Sequence, residues 1–192
     1  MEEGTVKYLI IPGLGNSGEK HWQSFWEKKL KGSKRVYQDD WENPDLENWL
    51  RNLEKEIERC DDKIILIAHS LGVALVLQWA YRNMNNKVVG ALLVSPSDVD
   101  SKEHTPECVR NFSPMPIIKL PFHSIVVASE DDPYVSISRA EYFAKNWNSD
   151  FTNIGKSGHI NSDSNLGEWE EGLRILEKLI SSLRSPSPSS IM

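Results

Sequence analysis

The stretch Ile64–Ala80, IILIAHSLGVALVLQWA, contains the corner around which the rest of the chain is organised. Aliphatic residues run to Ala68, and after His69 and Ser70 an apolar pattern with helical spacing begins at Leu71. The stretch therefore predicts a buried strand that passes directly into a buried helix. Since a simple turn would more naturally contain Asn-Gly or proline, the small hydroxyl of Ser70 at this corner needs a chemical explanation.

Short β-rich runs alternate with longer amphipathic segments along the rest of the chain. Strands are predicted at Thr5–Ile11, Lys34–Gln38, Lys63–Ala68, Val88–Ser95, Ser124–Ser129 and Phe151–Ile154. Helices are predicted at Lys20–Leu30, 44–58, Leu71–Arg82, Ser138–Trp147 and Leu166–Leu183, with an irregular stretch at Pro96–Leu120. This alternation predicts an α/β fold in which about six mostly parallel strands are covered by helices on both faces. We expect one domain over residues 1–183 and a disordered tail at 184–192, which ends in the low-complexity sequence SPSPSSIM.

The composition of the 192 residues is that of an ordinary soluble protein. A formal net charge of -6 at pH 7 argues against a nucleic-acid partner, which would require a basic surface. The longest apolar runs have the length of strands, so no membrane span is predicted, and the acidic N-terminus is the reverse of a secretory signal. Cys60 and Cys108 show neither a disulfide framework nor the spacing of zinc ligands. We therefore predict a cytoplasmic protein without a metal or cofactor.

In a parallel α/β sheet, ligands bind beyond the carboxyl ends of the strands. The loops predicted to lie at that edge are Pro12–Gly18, His69–Gly72, Ser95–Asp100, Glu130–Val135 and Gly155–Ser164. We expect the functional residues to lie in these loops.

The first of these loops has the pattern GxGxxG from Gly13 to Gly18. With Asp39 and Asp40 about twenty residues further on, it matches the dinucleotide-binding fingerprint, so a nucleotide-dependent oxidoreductase is one alternative for the chain. Pro12 before the first glycine and a helix that starts near Gly18 weaken this alternative, because phosphate binding needs a helix N-terminus directly beneath the loop. The same glycines could instead bring a backbone N–H to a developing oxyanion.

Ser70 lies in the sequence AHSLG, a variant of the nucleophile-elbow pattern GxSxG with Ala68 in place of the first glycine. Small residues are needed there because the serine of such an elbow has a strained backbone. The corner would expose the hydroxyl of Ser70 above the sheet and place the N–H of Leu71 at a helix N-terminus, which favours negative charge. The alternative is that Ser70 only caps the helix. His69 would point away from such a nucleophile and is predicted to be a packed strand-end residue.

A serine nucleophile needs a base and an orienting acid, which follow a GxSxG elbow in the order acid, then histidine. Three acids stand together after the fifth predicted strand: Glu130, Asp131 and Asp132. Asp132 is favoured because it directly precedes a proline, although the spacing leaves the other two open. His159 follows a glycine in the loop after the sixth strand and is the predicted base.

With Ser70, Asp132 and His159 in these positions, the sequence resembles the α/β-hydrolase superfamily. Within it the chain is similar to the YdeN-like small serine hydrolases, a family that includes retinoblastoma-binding protein nine. The resemblance extends over roughly Val6 to Leu179, and it is carried by PGLGNSGEKHWQSFWE, VYQDDWENPDLENWL, LIAHSLG, SEDDPYV and GKSGHINSDSNLGEW. The resemblance implies a compact fold without a lid domain and a Ser-Asp-His triad.

These observations together predict a serine hydrolase that cleaves a small ester or amide through an acyl-enzyme, most simply a carboxylesterase-like enzyme. The backbone N–H groups of Leu71 and Leu14 would bind the oxyanion. Candidate substrate-binding residues are Gly13, Gly15, His21 and Trp22. Packing in the core is the simpler role for Trp22. Besides the oxidoreductase, a non-catalytic interaction protein on a hydrolase fold stays open as an alternative.

Overall fold

The computed structural model describes residues 6–83 and 86–184. The strands are Val6–Ile11 (β1), Ser33–Arg35 (β2), Lys63–His69 (β3), Val88–Val94 (β4), His123–Ala128 (β5) and Asp150–Asn153 (β6). The helices are Trp22–Lys29 (α1), Leu46–Glu58 (α2), Leu71–Arg82 (α3), Ile137–Trp147 (α4) and Glu170–Arg184 (α5). The strands form a 6-stranded sheet in the order β2-β1-β3-β4-β5-β6, and every neighbouring pair is parallel. The predicted α/β fold is therefore confirmed.

The sheet separates two hydrophobic cores, because successive residues of each strand point to opposite faces. In β3, Ile64 and Leu66 face one core, while Ile65 and Ile67 face the other. Helices α2, α3 and α4 cover the first core, and helices α1 and α5 cover the second. All four of these β3 side chains are fully buried, which explains why the strand is a continuous apolar run rather than an alternating one.

Helix α3 follows β3 without a connecting loop and is buried from Leu71 to Ala80. The stretch that was predicted to be irregular, 96–120, lies over this helix and contains a 3-10 helix, Glu107–Phe112. Gln78 of α3 donates a 2.8 Å hydrogen bond from Nε2 to the carbonyl oxygen of Phe112. The stretch therefore forms part of the packed structure next to the carboxyl edge of the sheet.

Two elements differ clearly from their predicted bounds. Strand β2 ends at Arg35 rather than at 38, because this edge strand pairs with β1 only as far as the 2.9 Å bond from the N–H of Val36 to the carbonyl oxygen of Ile10. Helix α5 begins at Glu170 rather than at 166. Positive φ angles of 51°, 58° and 46°, which an α-helix cannot contain, occur just before it at Asn165, Gly167 and Trp169.

In the described part of the chain, no helix combines the length and the hydropathy that a membrane span requires. The predicted tail at 184–192 lies outside the described residues except for Arg184, which is the last residue of α5. The predicted domain boundary at 183 therefore stays a prediction.

Candidate active site

Ser70 occupies the corner between β3 and α3 in a strained backbone conformation, with φ 58° and ψ -124°. A positive φ is uncommon outside glycine and asparagine, so the surroundings must hold the residue in it. Close packing of the corner requires two glycines. A Cβ at Gly72 would lie 2.4 Å from the carbonyl oxygen of Ile11, and a Cβ at Gly13 would lie 2.7 Å from Cβ of Ser70. The hydroxyl of Ser70 makes no capping hydrogen bond to α3, so helix capping does not account for its side chain.

The side chain of Ser70 is hydrogen-bonded to His159, which is hydrogen-bonded in turn to Asp132. Ser70 Oγ lies 2.8 Å from His159 Nε2, and His159 Nδ1 lies 2.9 Å from each carboxylate oxygen of Asp132. All three residues are buried. Because a carboxylate only accepts, His159 Nδ1 donates to Asp132, which leaves Nε2 to accept the proton of Ser70. This geometry can move a proton from a serine hydroxyl to an imidazole that a carboxylate orients.

Of the three acids at the end of β5, Asp132 is the one that meets the imidazole. Asp131 instead accepts two 2.8 Å hydrogen bonds at Oδ1, from Ser129 Oγ and from the backbone N–H of Gly158. The hydrogen bond from Ser129 is the largest cause of the lowered pKa of Asp131. Glu130 is exposed, and its carboxylate accepts a 3.1 Å hydrogen bond from Nδ2 of Asn153 in β6. The alternatives that the sequence left open thus have other partners.

Two backbone N–H groups beside Ser70 are the candidates for binding an oxyanion. Leu71 is the first residue of α3, and Leu14 lies in the loop after β1; both residues line the cavity that contains Ser70. Neither N–H donates a hydrogen bond to another residue in the described ranges. The dipole of α3 further favours negative charge next to Leu71.

The glycines of the loop after β1 shape that loop and do not line the cavity. Gly13 lies so close to the corner that its ideal Cβ would be 3.0 Å from the backbone nitrogen of Leu71. Gly15 has a φ of 72° and donates its N–H to the carbonyl oxygen of Trp41 over 2.9 Å. Both glycines therefore allow the loop to pass close to Ser70, and their contact with substrate stays a prediction.

The same loop does not have the geometry of a dinucleotide site. Helix α1 begins at Trp22, beyond Gly18, so its N-terminus does not lie directly beneath the glycines. The carboxylate of Asp40 is engaged in a local turn, in which it accepts hydrogen bonds from the backbone N–H groups of Glu42 (2.9 Å) and Asn43 (2.8 Å). The arrangement favours the oxyanion role of this loop.

Two further imidazoles, His21 and His69, line the cavity beside His159. Ring centroids are 4.7 Å apart between His21 and His69, and 4.8 Å apart between His69 and His159. His21 Nδ1 caps α1 by accepting a 3.1 Å bond from the N–H of Gln23, and His69 Nε2 donates to the carbonyl oxygen of His159 over 2.9 Å. Burial lowers the pKa of His21 to about 3, with smaller contributions from Arg35 and His159. Burial also holds the pKa of His69 well below its usual value, so both rings are neutral at pH 7.

Trp22, for which a substrate contact is predicted, is not among the residues that line the cavity. Its side chain is 1% exposed and packs in the core between the sheet, α1 and α5, with ring-centroid distances of 4.7 Å to Trp26 and 5.0 Å to Trp169. Its Nε1 donates a 2.8 Å hydrogen bond to the carbonyl oxygen of Ile160, which is the residue after His159. Trp22 therefore supports the loop of His159 from the core side.

Ser97 and Tyr134 contact the site and were not predicted from the sequence. Ser97 Oγ lies 2.9 Å from Ser70 Oγ. The ring of Tyr134 packs edge-on against His159 at 4.4 Å, and its backbone N–H donates a 2.9 Å bond to Asp132 Oδ1. Both residues belong to loops that the sequence predicts at the carboxyl edge of the sheet, after β4 and β5. Their position in these loops, and not their residue type, is the signal that could have identified them.

A cavity of about 240 Å³ contains Ser70. Apart from the histidines, the described residues that line it carry no acidic or basic side chain. Its surface is partly polar, because hydroxyl and amide side chains line it, and the histidines His21 and His69 add no charge at pH 7. Its outer walls include Leu14 and Asn16 from the loop after β1, and Thr105, Pro106 and Val109 from the stretch that lies over α3.

Comparison with known proteins identifies the family of the chain. The family model described as serine hydrolase matches residues 8–178. The crystal structure of a YdeN-like hydrolase from Pectobacterium atrosepticum has a TM-score of 0.83 and 30% identity, and the match covers 93% of this chain and 92% of that chain. The hydrolase YdeN of Bacillus subtilis is 27% identical over 169 residues, which are 83% of this chain and 88% of that protein.

A more distant structure shares the fold alone. Est1E from Butyrivibrio proteoclasticus has a TM-score of 0.72 at 15% identity, and the match covers 95% of this chain and 89% of that chain. The architecture is therefore that of an α/β hydrolase. Since the family model spans most of the sequence, the chain belongs to the serine hydrolase family and is a YdeN-like α/β hydrolase.

Proposed function

We propose that this hydrolase cleaves a small ester or amide with Ser70 as the nucleophile, His159 as the general base and Asp132 as the orienting acid. The observation that carries the proposal is the pair of hydrogen bonds from Ser70 to His159 (2.8 Å) and from His159 to Asp132 (2.9 Å). Carboxylesterase activity is the form of the proposal to be tested first.

In the proposed reaction, Ser70 Oγ forms a bond to the acyl carbon while its proton passes to His159 Nε2. The carbonyl π electrons move onto the oxygen, which the backbone N–H groups of Leu71 and Leu14 stabilise. When the carbonyl reforms, the leaving group departs with the proton from His159. Water then attacks the acyl-enzyme, its proton goes to His159, and Ser70 Oγ leaves and takes that proton back. Asp132 holds the imidazole in the required tautomer and stabilises its charged form throughout.

The cavity supports a small and uncharged acyl group. Its volume of about 240 Å³ lies below the range of roughly 300–1,000 Å³ that is typical of sites for drug-sized ligands. A charged group in it would lose water without meeting a side chain of opposite charge, because the lining residues in the described ranges include no Asp, Glu, Lys or Arg. Short neutral esters satisfy both conditions.

A fluorophosphonate probe tests the proposal, because it reacts with an activated serine whatever the physiological substrate is. We expect one adduct per chain, mapped to Ser70 by mass spectrometry, and parallel hydrolysis of p-nitrophenyl acetate. Ser70→Ala should form no adduct, and its kcat should be about 10⁶-fold lower. In Asp132→Asn, kcat should fall by about 10⁴-fold, because the amide stabilises the wrong tautomer of the imidazole.

Asp131→Asn is the matched control for Asp132→Asn. Asp131 is the adjacent acid, it makes no hydrogen bond to His159, and asparagine keeps the Oδ1 that accepts from Ser129 and Gly158. This variant should react with the probe at the wild-type rate. The proposal fails if the wild-type protein forms no adduct, if the adduct maps to another residue, or if the two asparagine variants react equally fast.

A further inference from the structure

Ser97 places a second hydroxyl against the reacting atom of the site. Its Oγ lies 2.9 Å from Ser70 Oγ, and both side chains are buried, at 5% and 9% exposure. Ser70 Oγ is therefore held between two partners, His159 Nε2 at 2.8 Å and Ser97 Oγ. The hydrogen-bond chain Ser70–His159–Asp132 does not require the second contact.

The direction of the hydrogen bond between the two serines follows from the donors that are present. Asp132 accepts the hydrogen bond that His159 Nδ1–H donates, so His159 Nε2 can only accept, and the one hydroxyl proton of Ser70 is donated to it. Ser70 Oγ can then only accept from Ser97, and the proton between the two serines belongs to Ser97. Ser97 is thus a donor to the nucleophile in the resting state.

We propose that Ser97 is a catalytic residue that stabilises negative charge on Ser70 Oγ in both halves of the reaction; this inference rests on the proposed function. During acylation Ser70 loses its proton to His159 while its bond to the acyl carbon forms, and a hydrogen bond to an oxygen that gains negative charge becomes stronger. During deacylation the bond between the acyl carbon and Ser70 Oγ breaks, and its electron pair stays on that oxygen until His159 returns the proton. Ser97 keeps its own proton throughout.

The fold fixes Ser97 at this position through its neighbours. The backbone N–H of Asp98 donates a 3.1 Å bond to the carbonyl oxygen of Tyr134, whose own N–H binds Asp132. The carboxylate of Asp98 also pairs with Arg139 Nε of α4 at 3.1 Å. The loop after β4 is therefore tied to the loop that positions Asp132, and Ser97 does not need to reorganise when charge develops on Ser70.

Ser97→Ala tests the proposal, and Ser95→Ala is its matched control. Ser95 lies on the same loop and is fully buried, and its Oγ has no hydrogen-bond partner in the described part of the chain. We expect Ser97→Ala to lower the rate constant for labelling by the fluorophosphonate about ten-fold, as expected for losing a neutral hydrogen bond that becomes charge-assisted in the transition state. With p-nitrophenyl acetate, kcat should fall by a similar factor while KM changes little. Ser97→Thr keeps a hydroxyl and should restore most of the rate.

The outcomes separate this inference from the proposed function. If the wild-type protein is not labelled at Ser70, the proposed function fails and the role of Ser97 fails with it. If the wild-type protein is labelled and Ser97→Ala reacts as fast as the wild type, only the role of Ser97 is overturned. The role of Ser97 is also overturned if Ser95→Ala loses as much rate as Ser97→Ala. The same holds if the loss of rate in Ser97→Ala accompanies a matching fall in melting temperature, because the hydroxyl would then only stabilise the loop.

Discussion

His21 is a buried imidazole that remains unprotonated in the folded chain at neutral pH. Burial is the main cause of its low pKa of about 3, and coulombic interactions with Arg35 and His159 lower the pKa further. Its Nδ1 accepts the capping hydrogen bond of α1, and Nε2 is buried without a partner in the described residues. Protonating Nδ1 would therefore break the cap and place a charge on a buried ring that forms no ion pair with a described residue.

This arrangement predicts that folding stability falls on acidification. The unfolded chain binds a proton at His21 with a pKa near 6.5, whereas the folded chain does so only near 3, so the stabilising contribution is complete above pH 6.5 and is lost as the pH falls from 6.5 to 3. The free energy of unfolding should fall by about 1.4 kcal/mol per pH unit within this window on account of His21. The lowered pKa of His69 adds a loss of the same sign.

His21→Asn checks this prediction, since asparagine keeps a capping acceptor for Gln23 but does not titrate. Urea unfolding at pH 7, 6, 5 and 4 should show a shallower dependence on pH in the variant than in the wild type. The carboxylates contribute equally to the pH dependence of unfolding in both proteins, so their contribution cancels in the comparison. Identical slopes would show that His21 is accessible to protons in the folded state.

At the scale of elements, the corner between β3 and α3 is packed against the end of β1. An ideal Cβ at Gly72 would lie 2.4 Å from the carbonyl oxygen of Ile11 and 2.7 Å from that of Pro12. These are backbone atoms that a side-chain rotation cannot move away. The same contact joins the helix of Leu71 to the loop of Leu14, so it sets the spacing of the two proposed oxyanion donors.

Gly72→Ala should therefore destabilise the protein and slow its reaction with the fluorophosphonate. Alanine favours a helix over glycine by about 1 kcal/mol, but overpacking commonly costs about 1–3 kcal/mol, and here it acts on backbone. Gly18→Ala is the control, because no described residue lies within 4 Å of an added Cβ there. Urea unfolding and the labelling rate measure both effects. If Gly72→Ala unfolds and reacts like Gly18→Ala, the close packing of this corner has no energetic consequence.

The elements that the sequence predicts well are those whose burial forces a pattern on the residues. Strand β3 and helix α3 lie in the core, and their apolar runs locate them closely. Strand β2 and the start of α5 are poorly predicted because the apolar pattern does not mark their limits. Strand β2 ends where its pairing with the neighbouring strand β1 ends. The turn before α5 has positive φ angles at Asn165 and Trp169 as well as at a glycine. Residue type alone does not reveal such angles.

At the scale of the whole molecule, the candidate site is assembled from loops that only the sheet brings together. Residues with a distinctive local motif, Ser70 and His159, could be proposed from the sequence because chain order and strand ends are enough to place them. The contact of Ser97 with Ser70 could not, since it depends on the path of a loop without a motif. Trp22 shows the converse: it follows a cavity residue in the chain, but its side chain points into the core.

The cavity between these loops predicts a selectivity for uncharged acyl groups. The p-nitrophenyl esters of 4-methylpentanoate and of hydrogen succinate have nearly the same shape, but only the succinyl group carries a charge. The described lining offers no cation to pair with it, and an unpaired charge that is largely buried costs roughly 3–5 kcal/mol. Since part of the cavity is open to water, we expect kcat/KM to be about 10²-fold lower for the succinyl ester.

Adding a cation to the cavity wall should reduce this preference. Ser162 lines the cavity and is half-buried, so a longer side chain can extend from it without disturbing the core. Ser162→Lys should raise kcat/KM for the succinyl ester about ten-fold through a new ion pair, and high salt should remove part of the gain. Ser162→Met has a side chain of similar length without charge and should leave the ratio of the two esters unchanged. Equal hydrolysis of both esters by the wild-type protein would mean that the acyl group binds outside the cavity, where water solvates its charge.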